Sequence, residues 1–375
     1  MNISELYPLY LQHPVVTTDS RNCPAGSIFF ALKGESFDGN RFAGNALEAG
    51  CACAVIDDPD METDERMIRT DNVLATLQQL ARHHRETLHI PVIGVTGTNG
   101  KTTTKELLAA VLSTRYKLLS TQGNLNNHIG VPLTLLRLTR EHEMAVVEMG
   151  ANHPGEIREL VQIVRPDYGV ITNVGCAHLE GFGSLEGVIR TKGELYDYLR
   201  QTNGKVFIRK EDAHLQAIAQ GLEQITYGAC GDAFVSGKVT DGHPFLGLQW
   251  RQGGEHHTVK TRLVGDYNLW NVLAAIAAGR YLDVPSGQIN RALAAYEPAN
   301  NRSQWKKTAA NELVMDAYNA NPSSMQAALA NFASLPVRPK AVILGDMREL
   351  GADSLSLHAD VVRQLQTLGF ERTLL

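Results

Sequence analysis

The segment GVTGTNGKTT, residues 94–103, has the residue types and spacing that point most directly to chemistry. It lies between the apolar run IPVIGVTG, which reads as a strand, and KELLAAVLSTRY, whose apolar spacing is helical. Backbone N–H groups of Gly97, Thr98, Asn99, Gly100 and Lys101, with the start of that helix, would cradle phosphate oxygens. Lys101 would neutralise the β and γ phosphates of ATP, the Thr102 hydroxyl would reach Mg²⁺, and Thr103 would complete the loop's contacts. The common pattern G-x-x-x-x-G-K-[ST] asks for glycine where this chain has Val95, so the loop is a variant. The alternative, a glycine turn with an incidental lysine, requires strand, turn, Lys-Thr pair and helix to coincide without cause.

Such a loop needs a metal ligand, and open α/β sheets keep their sites at the C-terminal edge of the strands. Glu148 ends the apolar run AVVEMG, where a carboxylate can hold Mg²⁺ as a hard oxygen ligand. His178 follows another apolar run, YGVITNVG. Each also has a plainer reading, since strand-end glutamates are commonly solvated and a lone histidine is commonly a packed or surface group.

The elements that must position these residues alternate. Strand-like runs 90–97, 145–150 and 168–175 are separated by helical runs such as HPGEIRELVQIV, which implies a parallel sheet covered on both faces. Residues 1–88 read as a small α/β unit with strands SIFFALKG and CACAVIDD and the helix VLATLQQLARHHRETL. Residues 89–300 form a central phosphate-loop domain. Its stretch 203–264 turns to short alternating runs, read as an antiparallel excursion beside the sheet. Residues 301–375 form a last unit: strand ELVMDAY, helix SSMQAALANFASL, strand KAVILGD, helix SLSLHADVVRQLQTLG and the start of a further strand.

Composition excludes several classes. Of 375 residues, 43% are hydrophobic and 20% charged, which is ordinary globular composition. A net charge of −5 provides no overall basic field for nucleic acid or anionic lipid, so any phosphate must be held locally. The five cysteines (Cys23, Cys51, Cys53, Cys176, Cys230) include no C-x-x-C, which fits a reducing cytoplasm. No apolar run reaches the ~18 residues of a membrane helix, and MNISELYPLYLQHP lacks the basic start of a signal peptide. Neither export nor membrane insertion is expected.

The segments GTNGKTTTKE, AVVEMGANHPGE, NVGCAHLEGFGS, TKGELYDYL, NLWNVLAA and MDAYNANPSSM, in this order, resemble the Mur ligases, ATP-dependent amide-forming enzymes of cell-wall precursor synthesis. GNLNNHIGVPLTLL from Gly123 and YNANPSSM from Tyr318 are similar to the member that joins D-alanyl-D-alanine to UDP-N-acetylmuramoyl-tripeptide. A ligase adding a diamino acid to the UDP-muramoyl-dipeptide, or a non-ligase ATPase on the same loop, is the rival reading. The resemblance implies a three-domain α/β architecture: a small N-terminal domain, a central phosphate-loop parallel sheet and a Rossmann-like C-terminal domain. That last domain has fewer elements here than the resemblance implies, so an incomplete domain and slow turnover are expected.

The resemblance also assigns roles. Lys101 and Thr102 become the phosphate and first Mg²⁺ contacts, and Glu148 and His178 ligands of a second Mg²⁺. Lys192 in TKGE matches the lysine these ligases carbamylate, a change that turns an amine into an oxygen ligand; the residues alone make it a surface lysine. Asn268 and Asn271, on one helix face, match the adenine-side pair, although their spacing equally suits a helix cap plus a surface amide. Arg302 and Asp316 match the γ-phosphate and ribose contacts. Tyr267 stands where the family's adenine motif usually has histidine. The stretch from Thr18 resembles the uridine-nucleotide domain, placing Ser20, Arg21 and Lys33 near that nucleotide; each also reads as a turn residue or solvated charge. Asn126, Asn127, Asn152 and His153 follow central strands and are expected to face the muramoyl-peptide, though amides are equally common in turns. A monomer is expected.

Overall fold

The computed structural model describes residues 2–61, 64–175, 179–240, 243–299 and 301–375; His178, one of the expected ligands, lies outside them. In the N-terminal unit, Val16–Thr17, Ile28–Phe30, Cys53–Ile56 and Met67–Arg69 form a parallel sheet in that order. Strand side chains alternate between faces. Ile28, Phe30 and Val55 therefore pack with Leu6, Leu77 and Leu80 of the helices Ile3–Gln12 and Val73–Leu88. Phe29, Ala54 and Ile56 pack instead on Ala43, Ala46 and Leu47 of the helix Ala43–Glu48.

Among the described residues the central sheet has nine strands. From one edge the order is Leu118–Ser120, Met144–Glu148, Val92–Thr96, Tyr168–Ile171, Lys205–Arg209, Glu223–Gly228, Val235–Thr240, Phe245–Gln252 and Glu255–Val264. Every pairing is parallel as far as Val235–Thr240, and only the last two are antiparallel. The expected antiparallel excursion is thus a continuation of the same sheet. Its first strands join in parallel because the short helix Ala213–Ile218 returns the chain to the same edge. The faces divide cleanly. Ile93, Val95, Val146 and Phe207 pack under the helices Lys101–Leu112 and Leu269–Tyr281, while Val92, Val147, Ile171 and Ile208 pack under Glu156–Val164 and Leu185–Gln201. The strand Val92–Thr96 sits between Met144–Glu148 and Tyr168–Ile171, where the order reverses, the place where such sheets open a crevice.

In the C-terminal unit Gln304–Lys307 and Glu312–Met315 form a hairpin. Ala341–Ile343 and Arg372–Leu374 pair in parallel, with the helices Pro322–Ser334 and Ser354–Leu368 closing a core of Leu329, Val342, Met347 and Leu365. The hairpin belongs to neither sheet; Trp305 sets its ring edge-on to Phe245 of the central sheet, 6.1 Å between centroids. Among the described residues no helix is long and apolar enough to cross a membrane.

Candidate active site

The phosphate loop leaves the strand Val92–Thr96 and enters the helix Lys101–Leu112 through Gly100, whose φ of 77° suits glycine. A Cβ there would lie 2.7 Å from Asn271 Oδ1, so the glycine also lets the loop approach the helix Leu269–Tyr281. The first-turn amides of Lys101, Thr102 and Thr103 have no upstream helical carbonyl and point their dipole at the cleft. Lys101 Nζ donates to the loop's own carbonyls, Gly97 O at 2.8 Å and Thr98 O at 3.0 Å. Burial lowers its pKa, the nearby Arg302 charge acts in the same direction, and Glu148 opposes both.

Glu148, 1% exposed at the end of the strand Met144–Glu148, accepts from the Thr102 hydroxyl (3.2 Å) and the Asn126 amide (2.8 Å) on Oε1, and its backbone N–H donates to Thr121 Oγ1. Its Oε2 is buried with no hydrogen-bond partner among the described residues. An orphaned carboxylate oxygen beside a loop hydroxyl is a hard-oxygen donor set that fits Mg²⁺. Among the described residues no group of three or more His, Cys, Asp or Glu comes together, so a cation here would also draw on ligands from elsewhere, phosphate oxygens among them.

Lys192 is not on the surface. It is 2% exposed, its Nζ donates to Ala151 O at 3.1 Å and lies 5.0 Å from the centroid of the Phe182 ring. Burial drives its pKa well below 10.5 and the charge of Lys101 adds to that, with Glu156 and Glu194 opposing only in part. The helix Leu185–Gln201 is buried on more than one side from Thr191 to Tyr196, which takes Lys192 out of water and, on a different side, Glu194. Glu194 accepts from the backbone N–H groups of Gly155 and Arg158 and so caps the helix Glu156–Val164.

The opposite wall comes from the second half of the chain. Asn271 accepts from Thr104 Oγ1 (3.1 Å) and donates to Asn268 Oδ1 (2.9 Å), and Asn268 donates to Val264 O. The two asparagines form a buried relay tying their helix to the phosphate-loop helix. Arg302 lies over the Tyr318 ring, 3.8 Å from its centroid, with its Nε buried and without a partner among the described residues. Burial raises the pKa of Asp316, against the pull of the Ser303 N–H, Arg302 and Tyr267. These walls enclose a cleft of about 620 Å³ lined by Lys101, Glu148, Asn126, Asn271, Arg302 and Asp316, among others.

The expected substrate residues divide. Asn126, Asn127 and Asn152 line the cleft. Asn127 also accepts from the Ile129 and Gly130 N–H groups, and the Asn152 N–H donates to Glu156, whose carboxylate pairs with exposed His153. Ser20, Arg21 and Lys33 do not line it. Arg21 pairs with Asp19 on the surface, and Lys33 with Asp57 at 3.2 Å.

Three models of one family cover most of the chain: Mur ligase family, catalytic domain, over residues 14–85; Mur ligase middle domain over 95–279; and Mur ligase, glutamate ligase domain over 301–374. The UDP-N-acetylmuramoyl-tripeptide--D-alanyl-D-alanine ligases of Escherichia coli and Bacillus subtilis are each 37% identical to it. Those alignments cover 96% and 92% of this chain and 80% and 76% of the relatives. The chain belongs to the Mur ligase family. Crystal structures of MurF from Acinetobacter baumannii (33% identity, TM-score 0.89, 96% of this chain and 79% of that one) and of MurF from Thermotoga maritima in complex with ADP (29%, 0.85, 95% and 82%) share its fold.

As a Mur ligase fold, the cleft also contains Thr172, Asn173, Arg209, Asn321 and Ser323, which pattern alone did not single out. Asn99, in the phosphate loop, donates to Ser323 Oγ (2.8 Å) and accepts from Asn321 Nδ2 (2.7 Å), so the loop is bonded to the start of the helix Pro322–Ser334. Thr172 and Asn173, at the end of the neighbouring parallel strand, hold the Asn99 carbonyl. Their position after an apolar strand was the available signal. Arg209 stacks on Trp270, 3.5 Å from its ring centroid, with nothing local to indicate it.

Proposed function

We propose that this chain joins D-alanyl-D-alanine to UDP-N-acetylmuramoyl-tripeptide with hydrolysis of ATP, in the cytoplasm and as a monomer. The observation that carries the reading is the buried pair behind the phosphate loop: an unpartnered Glu148 oxygen and an amine, Lys192, held in neutral-favouring surroundings. A simple phosphate-loop ATPase needs no second buried lysine. Addition of CO₂ to that amine, with loss of a proton, would produce a carboxylate beside the metal site, as in the family. His178 is read as a further ligand.

The terminal carboxylate of the peptide attacks the γ phosphorus and ADP leaves, producing an acyl phosphate. The neutral amine of the dipeptide then attacks the acyl carbon, and the tetrahedral intermediate expels inorganic phosphate. Lys101 and the amides of its helix bind and orient the phosphates, drawing on positive charge that burial otherwise disfavours. Mg²⁺ bound at Thr102 and Glu148 would supply further charge stabilisation. Asn268 and Asn271 hold the adenine side, Asp316 the ribose, and Arg302 the phosphate tail. The Asn99 bridge to Asn321 and Ser323 keeps the C-terminal unit over the cleft, which excludes water from the acyl phosphate. Ser20, Arg21 and Lys33 would bind the uridine nucleotide, with Asn126, Asn127, Asn152 and His153 toward the peptide.

The test is Mg²⁺-dependent phosphate release from ATP with UDP-N-acetylmuramoyl-tripeptide and D-alanyl-D-alanine added singly and together. Release only with both substrates is expected. Release indifferent to them, or stimulated instead by a diamino acid and the UDP-dipeptide, overturns the proposal.

A further inference from the structure

Arg302 is flanked by two residues in a backbone conformation that side chains rarely adopt: Asn301 has φ 54° and Ser303 φ 47°. Asparagine tolerates the left-handed region; serine does so at a cost, and two such residues on either side of one persist only where the surroundings over-determine them. The surroundings here are specific. Asn301 O accepts from the Ala317 N–H at 2.9 Å, the Ser303 N–H donates to Asp316 Oδ1 at 3.4 Å, and Ser303 Oγ lies 2.8 Å from the Tyr267 hydroxyl. The first two bonds are internal to the hairpin of the C-terminal unit. The third crosses to the central domain.

Tyr267 is well suited to act as that anchor. It sits in the short turn Asp266–Asn268 that opens the helix Leu269–Tyr281, and its ring lies so close to Gly265 that a side chain there would collide with it. Burial, with the Asp316 charge second, pushes its phenol pKa up, so the hydroxyl keeps its proton and has the Asp316 carboxylate as well as Ser303 for a partner. On the other side of Ser303, the Arg302 guanidinium enters the cleft with Nε buried and unpartnered, close enough to Lys101 for the two charges to interact. Two basic side chains lining one cleft suit a polyanion such as the tail of a nucleoside triphosphate.

We propose that Tyr267 is a positioning residue for Arg302: its hydroxyl, fixed in the central domain, holds Ser303 in the left-handed conformation that aims the Arg302 guanidinium at the polyphosphate of a bound nucleoside triphosphate. The proposal deepens the nucleotide-cleft reading above and rests on it, but it does not depend on which amino acid or peptide is ligated.

The experiment is a double-mutant cycle on the full chain, read as the Kd of a non-hydrolysable ATP analogue and of ADP by calorimetry with Mg²⁺ present. Tyr267→Phe removes one oxygen and leaves the packed ring, so the fold is retained. With Arg302 in place it is expected to weaken the ATP analogue about tenfold and ADP by less than about twofold; in an Arg302→Ala background the same change is expected to have less than about a twofold effect on either. Ser303→Gly keeps the backbone conformation open to it while deleting the hydroxyl, and should reproduce the loss. Equal losses in both backgrounds, equal losses for ADP and the ATP analogue, or no loss in Tyr267→Phe would each overturn the proposal. A chain that binds neither nucleotide with Tyr267 and Arg302 both intact would instead overturn the nucleotide-cleft reading, and the proposal with it.

Discussion

The phosphate loop and the N-terminal loop around Arg21 are both rich in polar side chains, yet they bond in opposite ways. Around the phosphate loop the partners are remote in sequence: Thr102 to Glu148 spans 46 residues, Thr104 to Asn271 spans 167 and Asn99 to Ser323 spans 224. Around Arg21 they are adjacent, since Asp19 accepts both its backbone and guanidinium N–H groups from two residues away. Remote bonds between buried groups fix a site, because each broken bond strands a desolvated partner. Local bonds on the surface only shape a turn, and water replaces them at little cost. A ligand arriving at the first region meets groups already aimed; at the second it must organise them.

The largest test of this contrast is Lys101→Ala, expected to cut turnover by about 10²–10³ at saturating ATP, since the lost charge acts on the transferring phosphoryl group. Lys33→Ala should act mainly on the KM for the UDP-substrate. Steady-state kinetics with each substrate varied would separate the two, and a comparable kcat loss at Lys33 would break the contrast. Next in size is Asn126→Ala, which frees Glu148 Oε1 from its amide donor. About a 10–100-fold loss in Mg²⁺ dependence or rate is expected, checked by titrating Mg²⁺ against phosphate release. Asn321→Ala removes one bond to the loop and leaves Asn99 Oδ1 to water; roughly a fivefold fall in kcat is expected, with the ADP Kd unchanged.

Smaller effects concern stability. His84 is 4% exposed, with Nε2 at 2.9 Å from Leu138 O and Nδ1 at 3.1 Å from the Tyr7 hydroxyl, and burial lowers its pKa below 6.5. Below pH 6.5 the unfolded chain binds a proton that the folded one resists. Stability is therefore full above that pH and lost as pH falls toward the folded-state value. Thermal melts between pH 7.5 and 5.5 should show the fall, and His84→Gln should flatten it. Smallest of all, Arg21→Ala should leave the melting temperature unchanged, because the pair it breaks is on the surface. A clear drop would show that this loop is as tightly organised as the phosphate loop.

The phosphate loop was legible in the sequence because strand, glycine turn, Lys101–Thr102 and helix follow one another within a few residues, and the same local logic placed Glu148 at a strand end. Lys192 was not legible. Its helix reads as amphipathic with the lysine outward, but residues Thr191–Tyr196 are covered on more than one side by segments remote in the chain, among them the one whose Ala151 carbonyl, 41 residues away, accepts from Lys192 Nζ. Asn268 and Asn271 were picked out by the family resemblance, since their spacing equally suits a cap and a surface amide, while their relay to Thr104 was not, since no pattern links residues 167 apart. The strands after Lys205 read as an antiparallel excursion because each is short and alternating; which edge they join depends on where the intervening helix delivers them.

Order along the chain, with periods of two and 3.6, was enough to specify alternating strands and helices, a phosphate-binding turn and a carboxylate beside it, because those features arise from neighbours. Burial of Lys192, the orphaned oxygen of Glu148, the bridge from Asn99 to Asn321 and the strained segment around Arg302 arise from groups that meet only after the sheet has closed. Those desolvated, remotely paired groups set the charge of the cleft, and charge is what decides its chemistry.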